Sequence, residues 1–375
     1  MNTHKISTMH VISGLHVGGA EMMLYRLLAN SQSQDAVVVS FTSQGELATK
    51  IRQLGIEVIE LNRGSLIATC RQLLSLIDQH KPQLIQSWLY RADLIAGIAA
   101  RIKKTPVAWN VRQTQVGVVQ GQRHIWLTQR LNALLSWFLP TKIVYCAEAA
   151  RLSHEAIGYA KQKSVVINNG IDTEKYALHE NLRRKQRQDW EVFNNDVVIG
   201  MVGRFDPLKN HHRFVCIVDK VIKACPQHNI KAVLVGRGIN KSNLALMRTI
   251  NALGLREKFL LIDETEDMVS AYSAMDIHLL TSDNEGWPNA LGEALSMGLP
   301  CVSTDVGDVG VMMYDKSAVI DVNDESAFVQ SVVNYVNLSS GERWKLAKMN
   351  RGFVQKNSSL ESTVNGYDAL YLSLV

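Results

Sequence analysis

Short apolar runs alternate with amphipathic stretches along the whole chain. In the first half, residues 5–13 (KISTMHVIS), 36–43 (AVVVSFTS), 56–61 (IEVIEL), 82–88 (PQLIQSW) and 106–111 (PVAWNV) are strand-length and rich in β-branched or aromatic residues. Between them, 22–30 (MMLYRLLAN), 46–55 (ELATKIRQLG), 65–81 and 93–104 carry apolar positions at helical spacing. KIVYCAEAA, at 142–150, is another strand running into a helix. Apolar runs without alternation suit strands buried on both faces. Strand and helix in strict rotation therefore predict parallel sheets covered by helices, an α/β fold. The rhythm resumes in the second half with strands at Val197–Val202, in KAVLVGRG (231–238), in AMDIHLL (274–280), in LPCVST (299–304) and in AVIDV (318–322). Three helical segments close the chain, at 326–338, 340–357 and 359–375. Asn169-Gly170 marks a turn between the halves. The expected organisation is a first domain over 1–170, a second over 171–355 and a terminal helix over 356–375.

The stretch Thr281–Asp305 organises the second half. An apolar strand leads into a loop, then a helix in which Leu291, Ala294, Leu295 and Met297 recur at helical spacing. Gly298 stops it and Pro300 prevents its return. The start of such a helix leaves free N–H groups and a partial positive charge, which suits phosphate. Asn289, Ala290 and Leu291 are placed to supply those N–H groups. Glu285 precedes the helix and Glu293 lies eight positions later, about one turn in. One carboxylate can face a sugar and the other a ribose, with a diphosphate between them, because each offers two acceptor oxygens to vicinal hydroxyls.

These residues carry a family resemblance. Glu285-Gly286-Trp287-Pro288-Asn289 followed by Glu293-Ala294 resembles the E-x7-E signature of the retaining glycosyltransferases of family 4. Three further segments resemble the same family: the Gly18-Gly19-Ala20-Glu21 loop after the first strand, Asn169-Gly170-Ile171-Asp172, and Gly203-Arg204 with Lys209 after the strand at 197–202. The resemblance implies a GT-B fold, two Rossmann-like domains facing across a cleft, with the last helix crossing back to the first domain. It implies transfer of a sugar from a nucleotide-diphosphate donor, UDP- or GDP-linked, to a lipid-linked or polysaccharide acceptor in bacterial surface-polysaccharide synthesis. On this reading Arg204 and Lys209 bind the diphosphate and stabilise the charge that grows on the leaving group. Glu285 holds sugar hydroxyls, Glu293 the ribose, and the amides of Gly286, Asn289, Ala290 and Leu291 bind phosphate or sugar. Gly18 and Gly19 approach from the opposite wall. Neither a metal nor a cofactor is expected, since protein cations replace the ion.

The chain also departs from the family pattern. Where histidines commonly end the last two strands of the first domain, this chain has Gln86 and Trp88, then Arg112. Arg112 could bind an acceptor phosphate bidentately or serve in a structural ion pair. Ile262, Asp263 and Glu264 stand where a glycine and a basic residue are usual, so base recognition is expected to use backbone atoms. Two other classes stay open: a sugar-nucleotide epimerase of the same fold, and a non-catalytic nucleotide-sugar-binding protein. A nicotinamide enzyme is disfavoured, because the glycines read G-x-x-x-G-G and the second strand ends without an acid.

Composition narrows the setting. The net charge of +5 is unevenly spread: up to Gly170 there are 18 Lys and Arg against 9 Asp and Glu, a balance of +9. A basic first half suggests an anionic partner. With no nucleic-acid motif in view, an anionic membrane face or a lipid-diphosphate acceptor fits better. No run of about 18 apolar residues appears, and the N-terminus lacks a signal-peptide core. Five scattered cysteines fit reduced thiols, so a cytoplasmic protein, peripheral at the inner membrane face, is expected. Gly121–Lys142 has the densest aromatic content, with apolar Ile125, Trp126, Leu127, Leu131, Leu134, Leu135 and Phe138 beside Arg123, Arg130 and Lys142. It reads either as a membrane-interface helix or as a buried helix with a basic outer side; the buried reading is preferred, with membrane contact by its flanks. The basic run NLRRKQRQDW (181–190) reads as a solvated surface helix.

Overall fold

The computed structural model describes residues 5–43, 45–61, 64–117 and 123–375. The chain divides into two compact units, Met1–Gly170 with Leu360–Val375, and Ile171–Ser359.

The first unit is built on strands β1 (Ile6–Ile12), β2 (Gln34–Ser40), β3 (Glu57–Glu60), β4 (Leu84–Trp88), β5 (Val107–Val111), β6 (Lys142–Tyr145) and β7 (Ser164–Val166). Helices α1 (Gly19–Asn30), α2 (Glu46–Gln53), α3 (Leu66–His80), α4 (Tyr90–Lys103), α5 (Arg123–Leu135) and α6 (Glu148–Ala156) connect them. The sheet order is β3-β2-β1-β4-β5-β6-β7, with every neighbouring pair parallel. Its order reverses between β1 and β4, the position where ligands settle beyond the carboxyl ends of strands in open parallel sheets.

The second unit repeats the plan. It comprises α7 (Glu180–Asp189), β8 (Val197–Val202), α8 (His211–Ala224), β9 (Ile230–Val235), α9 (Leu244–Ala252), β10 (Phe259–Ile262), α10 (Met268–Ala274), β11 (Ile277–Leu280), α11 (Asn289–Ser296), β12 (Cys301–Thr304), α12 (Val309–Met312), β13 (Val319–Ile320), α13 (Glu325–Val336) and α14 (Ser340–Asn357). The strand order is β10-β9-β8-β11-β12-β13, all parallel, and here the reversal falls between β8 and β11.

The last helix, α15 (Leu360–Leu372), belongs to the first unit. The division therefore falls after Ser359 and not after residue 355, because α14 runs on to Asn357 without a break. Leu360, Val364, Tyr367, Leu370 and Tyr371 join Ile12, Leu24, Leu27 and Trp88 in one hydrophobic core. Burying two tyrosine rings removes a few hundred Å² of surface from water, roughly several kcal/mol in area terms. The terminal helix is thus part of that core's construction.

One expectation about surfaces is qualified and another is reversed. The basic helix α7 is not a solvated face along its whole length. Arg187 is buried and, with Arg183, grips Asp276 at 3.1 and 2.6 Å. The same arginines donate to the carbonyls of Ser273, Ala274, Met275, Phe193 and Asp196. A guanidinium can be buried when its donors are taken up this way. Helix α5 is also turned round: Leu127, Leu131, Leu134 and Phe138 are exposed, while Gln129, Asn132, Ala133 and Ser136 are buried. Gly121 and Gln122, with which that segment was expected to begin, lie outside the described residues, as do the first four residues.

Candidate functional site

In the second unit the loops following β8 and β11 lie side by side at the sheet's reversal point. Their backbones are joined directly: the Asp283 N–H donates to Leu208 O at 2.8 Å. The Thr281 hydroxyl lies 3.2 Å from both Lys209 O and Asn210 O. Arg213 reaches back to Thr281 O at 2.9 Å and to Asp283 at 2.7 Å. Two loops separated by more than seventy residues in sequence therefore form one surface.

That surface carries the expected ionisable groups. Lys209 Nζ lies 2.5 Å from Glu285 Oε1, and the Ser282 hydroxyl donates to the same oxygen at 2.7 Å. Both side chains are mostly buried, so the pair is held in a fixed geometry. Arg204, more than half exposed, forks onto Asp206 Oδ2 through Nε at 3.1 Å and Nη2 at 2.8 Å. Burial opposes ionisation of Asp206. The Arg204 hydrogen bond, the Leu208 N–H and the charges of Arg204 and Lys209 outweigh it and hold the carboxyl below its ordinary value.

Helix α11 starts at Asn289 with Pro288 in the cap position, and no side chain caps it. Proline has no N–H to satisfy, so the backbone N–H groups that open the helix are those of Asn289, Ala290 and Leu291. The first turn holds no acid. Glu293, the fifth residue of the helix, is buried, and the Tyr272 hydroxyl lies 3.2 Å from its Oε2 and 3.1 Å from Ala290 O. Burial first, and the charge of Glu293 second, push the Tyr272 phenol well above its ordinary pKa, so it is a permanent donor. Gly298 ends the helix with φ of 82°, a conformation glycine adopts without strain.

The Glu285 loop is backed by a second glycine. Gly307 has φ of 57°, and a Cβ there would fall 2.4 Å from Glu285 O and 2.6 Å from Gly286 O. Next to it, the Asp308 N–H donates to Gly286 O at 3.0 Å. The loops after β9 and β10 are tied in the same manner. Asp263 accepts from the Gly238 N–H, the Asn240 amide and the Glu264 N–H. Asp263 thus staples the neighbouring loop.

In the first unit, Gly18 occupies the cap position of α1 in extended conformation, again without a side-chain cap, and Gly19 is the first helical residue. Glu21 lies in the first turn. Arg112 donates to Asn110 at 3.4 Å, to Tyr367 at 3.3 Å and to Asn169, and lies 5.6 Å from the Trp88 ring centroid. These partners are neutral, so the hydrogen bonds tie β5 to the terminal helix without forming an ion pair.

The structure brings together Lys209 and Glu285, with Arg204 on the Lys209 loop, α11 starting four residues after Glu285, and Glu293 further along that helix. It places Gly18, Gly19 and Arg112 in the other unit. Sequence reasoning missed Asp206, Ser282, Tyr272 and Gly307, which orient the residues it found. Ser282 and Gly307 sit in recognisable loops, but Tyr272 meets Glu293 only through the fold.

Comparisons with known proteins agree with this fold. Residues 17–175 match the model described as Glycosyltransferase Family 4, and residues 196–337 match that described as Glycosyl transferases group 1. The capsular polysaccharide biosynthesis glycosyltransferase CapM of Staphylococcus aureus is 24% identical over 276 residues, covering 71% of this chain and 70% of its own. An Escherichia coli UDP-Gal:alpha-D-GlcNAc-diphosphoundecaprenol alpha-1,3-galactosyltransferase is 24% identical over 275 residues, covering 72% and 71%. The crystal structure of Anabaena HepE with UDP and glucose superposes with a TM-score of 0.84 at 20% identity, over 99% of this chain and all of that one. The fold is accordingly GT-B, with two Rossmann-like domains.

Proposed function

Since the chain belongs to the group 1, family 4 glycosyltransferases, we propose that it moves a sugar from a UDP- or GDP-linked donor, with retention and without a metal, to a lipid-linked or saccharide acceptor in surface-polysaccharide synthesis. One observation carries the donor assignment. An uncapped helix start with no acid in its first turn lies next in the chain to the loop whose Glu285 contacts Lys209 at a sheet reversal point. The Asn289, Ala290 and Leu291 amides would take phosphate oxygens, with Lys209 and Arg204 on the diphosphate. The Gly286 amide would assist, Glu285 would hold sugar hydroxyls, and Glu293, fixed by Tyr272, would take the ribose. In the first unit, Gly18 and Gly19 would offer backbone amides, and Arg112 would present its remaining guanidinium donors to an acceptor phosphate.

The bond between the sugar's anomeric carbon and the diphosphate breaks as the acceptor oxygen bonds to that carbon on the same face. The acceptor proton passes to the departing phosphate oxygen, so no protein nucleophile is required. Lys209 and Arg204 act where negative charge accumulates, the place where electrostatic groups lower a barrier most. No described helix is long and apolar enough to cross a membrane. The E. coli relative's lipid-linked acceptor and the basic first half support a peripheral contact with an anionic membrane.

The test is a panel of nucleotide sugars screened by thermal shift, followed by transfer with and without chelator, the product's anomeric configuration being read by NMR. A donor that raises the melting temperature should support chelator-resistant transfer with retention. Inversion, or activity abolished by chelator and restored by magnesium, would contradict the mechanism. Conversion of the donor with no acceptor present would favour an epimerase.

A further inference from the structure

Helix α5 presents its apolar side outward, and its inner side explains why it cannot roll over. Gln129 donates to Gln115 O at 3.0 Å and accepts from the Gly117 N–H. Asn132 donates to Tyr90 O at 2.9 Å, and the Ser136 hydroxyl accepts from the Ala160 N–H at 2.9 Å. Rotating the helix to bury its leucines would strand these polar groups. The exposed side holds Leu127, Leu131 and Leu134, and the turn after the helix adds Trp137 and Phe138, each of the five 43–69% exposed. Isolated exposed leucines are ordinary; a continuous helical stripe with two aromatics marks a surface built to be covered.

The charge around it identifies the covering surface. Between Asp93 and Glu148 the chain contains no carboxylate, but it has seven bases, of which Lys103 pairs with Asp78 and Arg112 is engaged by Asn110, Tyr367 and Asn169, leaving Arg101, Lys104, Arg123, Arg130 and Lys142. Arg123 and Arg130 are exposed on α5 itself. The next acids, Glu148 and Glu155, are both paired with Arg151. An apolar stripe on a helix that carries exposed Arg123 and Arg130 and no acid matches an anionic bilayer interface, in which the stripe enters the acyl boundary and the bases meet headgroup phosphates.

We propose that the outward face of α5 and of the turn after it, Leu127, Leu131, Leu134, Trp137 and Phe138, is the surface by which this chain docks on an anionic phospholipid membrane. This deepens the peripheral membrane contact in the function proposed above and gives it a single location. Docking places the first unit beside the membrane that would hold a lipid-linked acceptor.

The test is co-sedimentation of the full chain with vesicles of phosphatidylglycerol and phosphatidylethanolamine, or of phosphatidylcholine alone. The wild type should bind the anionic vesicles, and less tightly as salt rises. Leu131→Ser/Leu134→Ser/Phe138→Ser should weaken binding at least about tenfold, and Arg123→Glu/Arg130→Glu should weaken it several-fold. These positions are exposed, so melting curves should be unchanged within a few degrees, and UDP or GDP affinity by calorimetry should match wild type. Vesicle binding that survives the triple substitution, absence of binding by the wild type, or a wild-type dimer in lipid-free solution that the triple substitution dissociates would each overturn the proposal. Loss of nucleotide binding by the wild type would strike the donor assignment instead and leave the vesicle result standing.

Discussion

The two units share a parallel-sheet plan, and in each an uncapped helix follows a strand at the sheet reversal, yet the two turns are chemically unlike. At α1 the cap is Gly18, and Glu21 brings a carboxylate into the first turn. At α11 the cap is Pro288 and the first turn has no acid. The loop before α11 holds Glu285, fixed by Lys209 and Ser282, and Tyr272 lies in reach of Glu293. An anion gains from a helix N-terminus only where no resident carboxylate has taken its place. The comparison teaches that a glycine loop alone marks backbone access, and that a diphosphate site also needs fixed cations and a helix start free of acid.

The sharpest way to break this comparison is Glu285→Gln. Transfer should fall at least about a hundredfold, while nucleotide binding measured by calorimetry survives. Unchanged turnover would remove Glu285 from the sugar site. Lys209→Ala comes next: losing a charge-assisted contact should weaken UDP or GDP binding about tenfold or more, and equal affinity would show that the diphosphate lies elsewhere. Gly307→Ala probes positioning without touching the charges. A methyl group directed at Glu285 O should cost about 1–2 kcal/mol for the left-handed backbone alone, more for the overlap with two carbonyl oxygens, and lower turnover at least about tenfold. Normal kinetics in that variant would mean the Glu285 loop tolerates displacement.

The smallest expected effect on transfer belongs to the first unit's interior. Asp93 is fully buried, accepting from Ser87 at 2.6 Å and from the Asn110 N–H at 3.2 Å. Burial pushes its carboxyl up to about 8, the two hydrogen bonds opposing. Its folded pKa therefore exceeds the unfolded value of about 3.9, so the folded state keeps a proton the unfolded state releases. Stability from this group is present at low pH, declines as pH rises through neutrality and levels off above about pH 8. Asp93→Asn should remove that decline: relative to wild type, its melting temperature should rise between pH 5.5 and 8.5. A parallel pH trend in both proteins would show that Asp93 does not titrate there.

Much of the fold was legible because parallel strands buried on both faces leave uninterrupted apolar runs, as at β8, whose bounds match Val197–Val202. The order of the strands and the loops they bring together were not legible. Tyr272 meets Glu293 across 21 residues, and Gly307 backs Glu285 from beyond the next strand. Helix α5 shows the limit most clearly. Its apolar stripe was visible in the sequence, but the side facing inward was decided by where Gln129, Asn132 and Ser136 found partners. Helix α7 lies mostly at the surface as its composition indicates, but Arg187 is buried, and its partner Asp276 lies almost ninety residues away.

The most direct measurement is a crystal structure of the chain soaked with UDP or GDP. The account predicts diphosphate oxygens within hydrogen-bonding distance of the Asn289–Leu291 amides and of Lys209 or Arg204, with the ribose on Glu293. A nucleotide bound at another edge of the second unit's sheet, with the start of α11 facing only water, would contradict it.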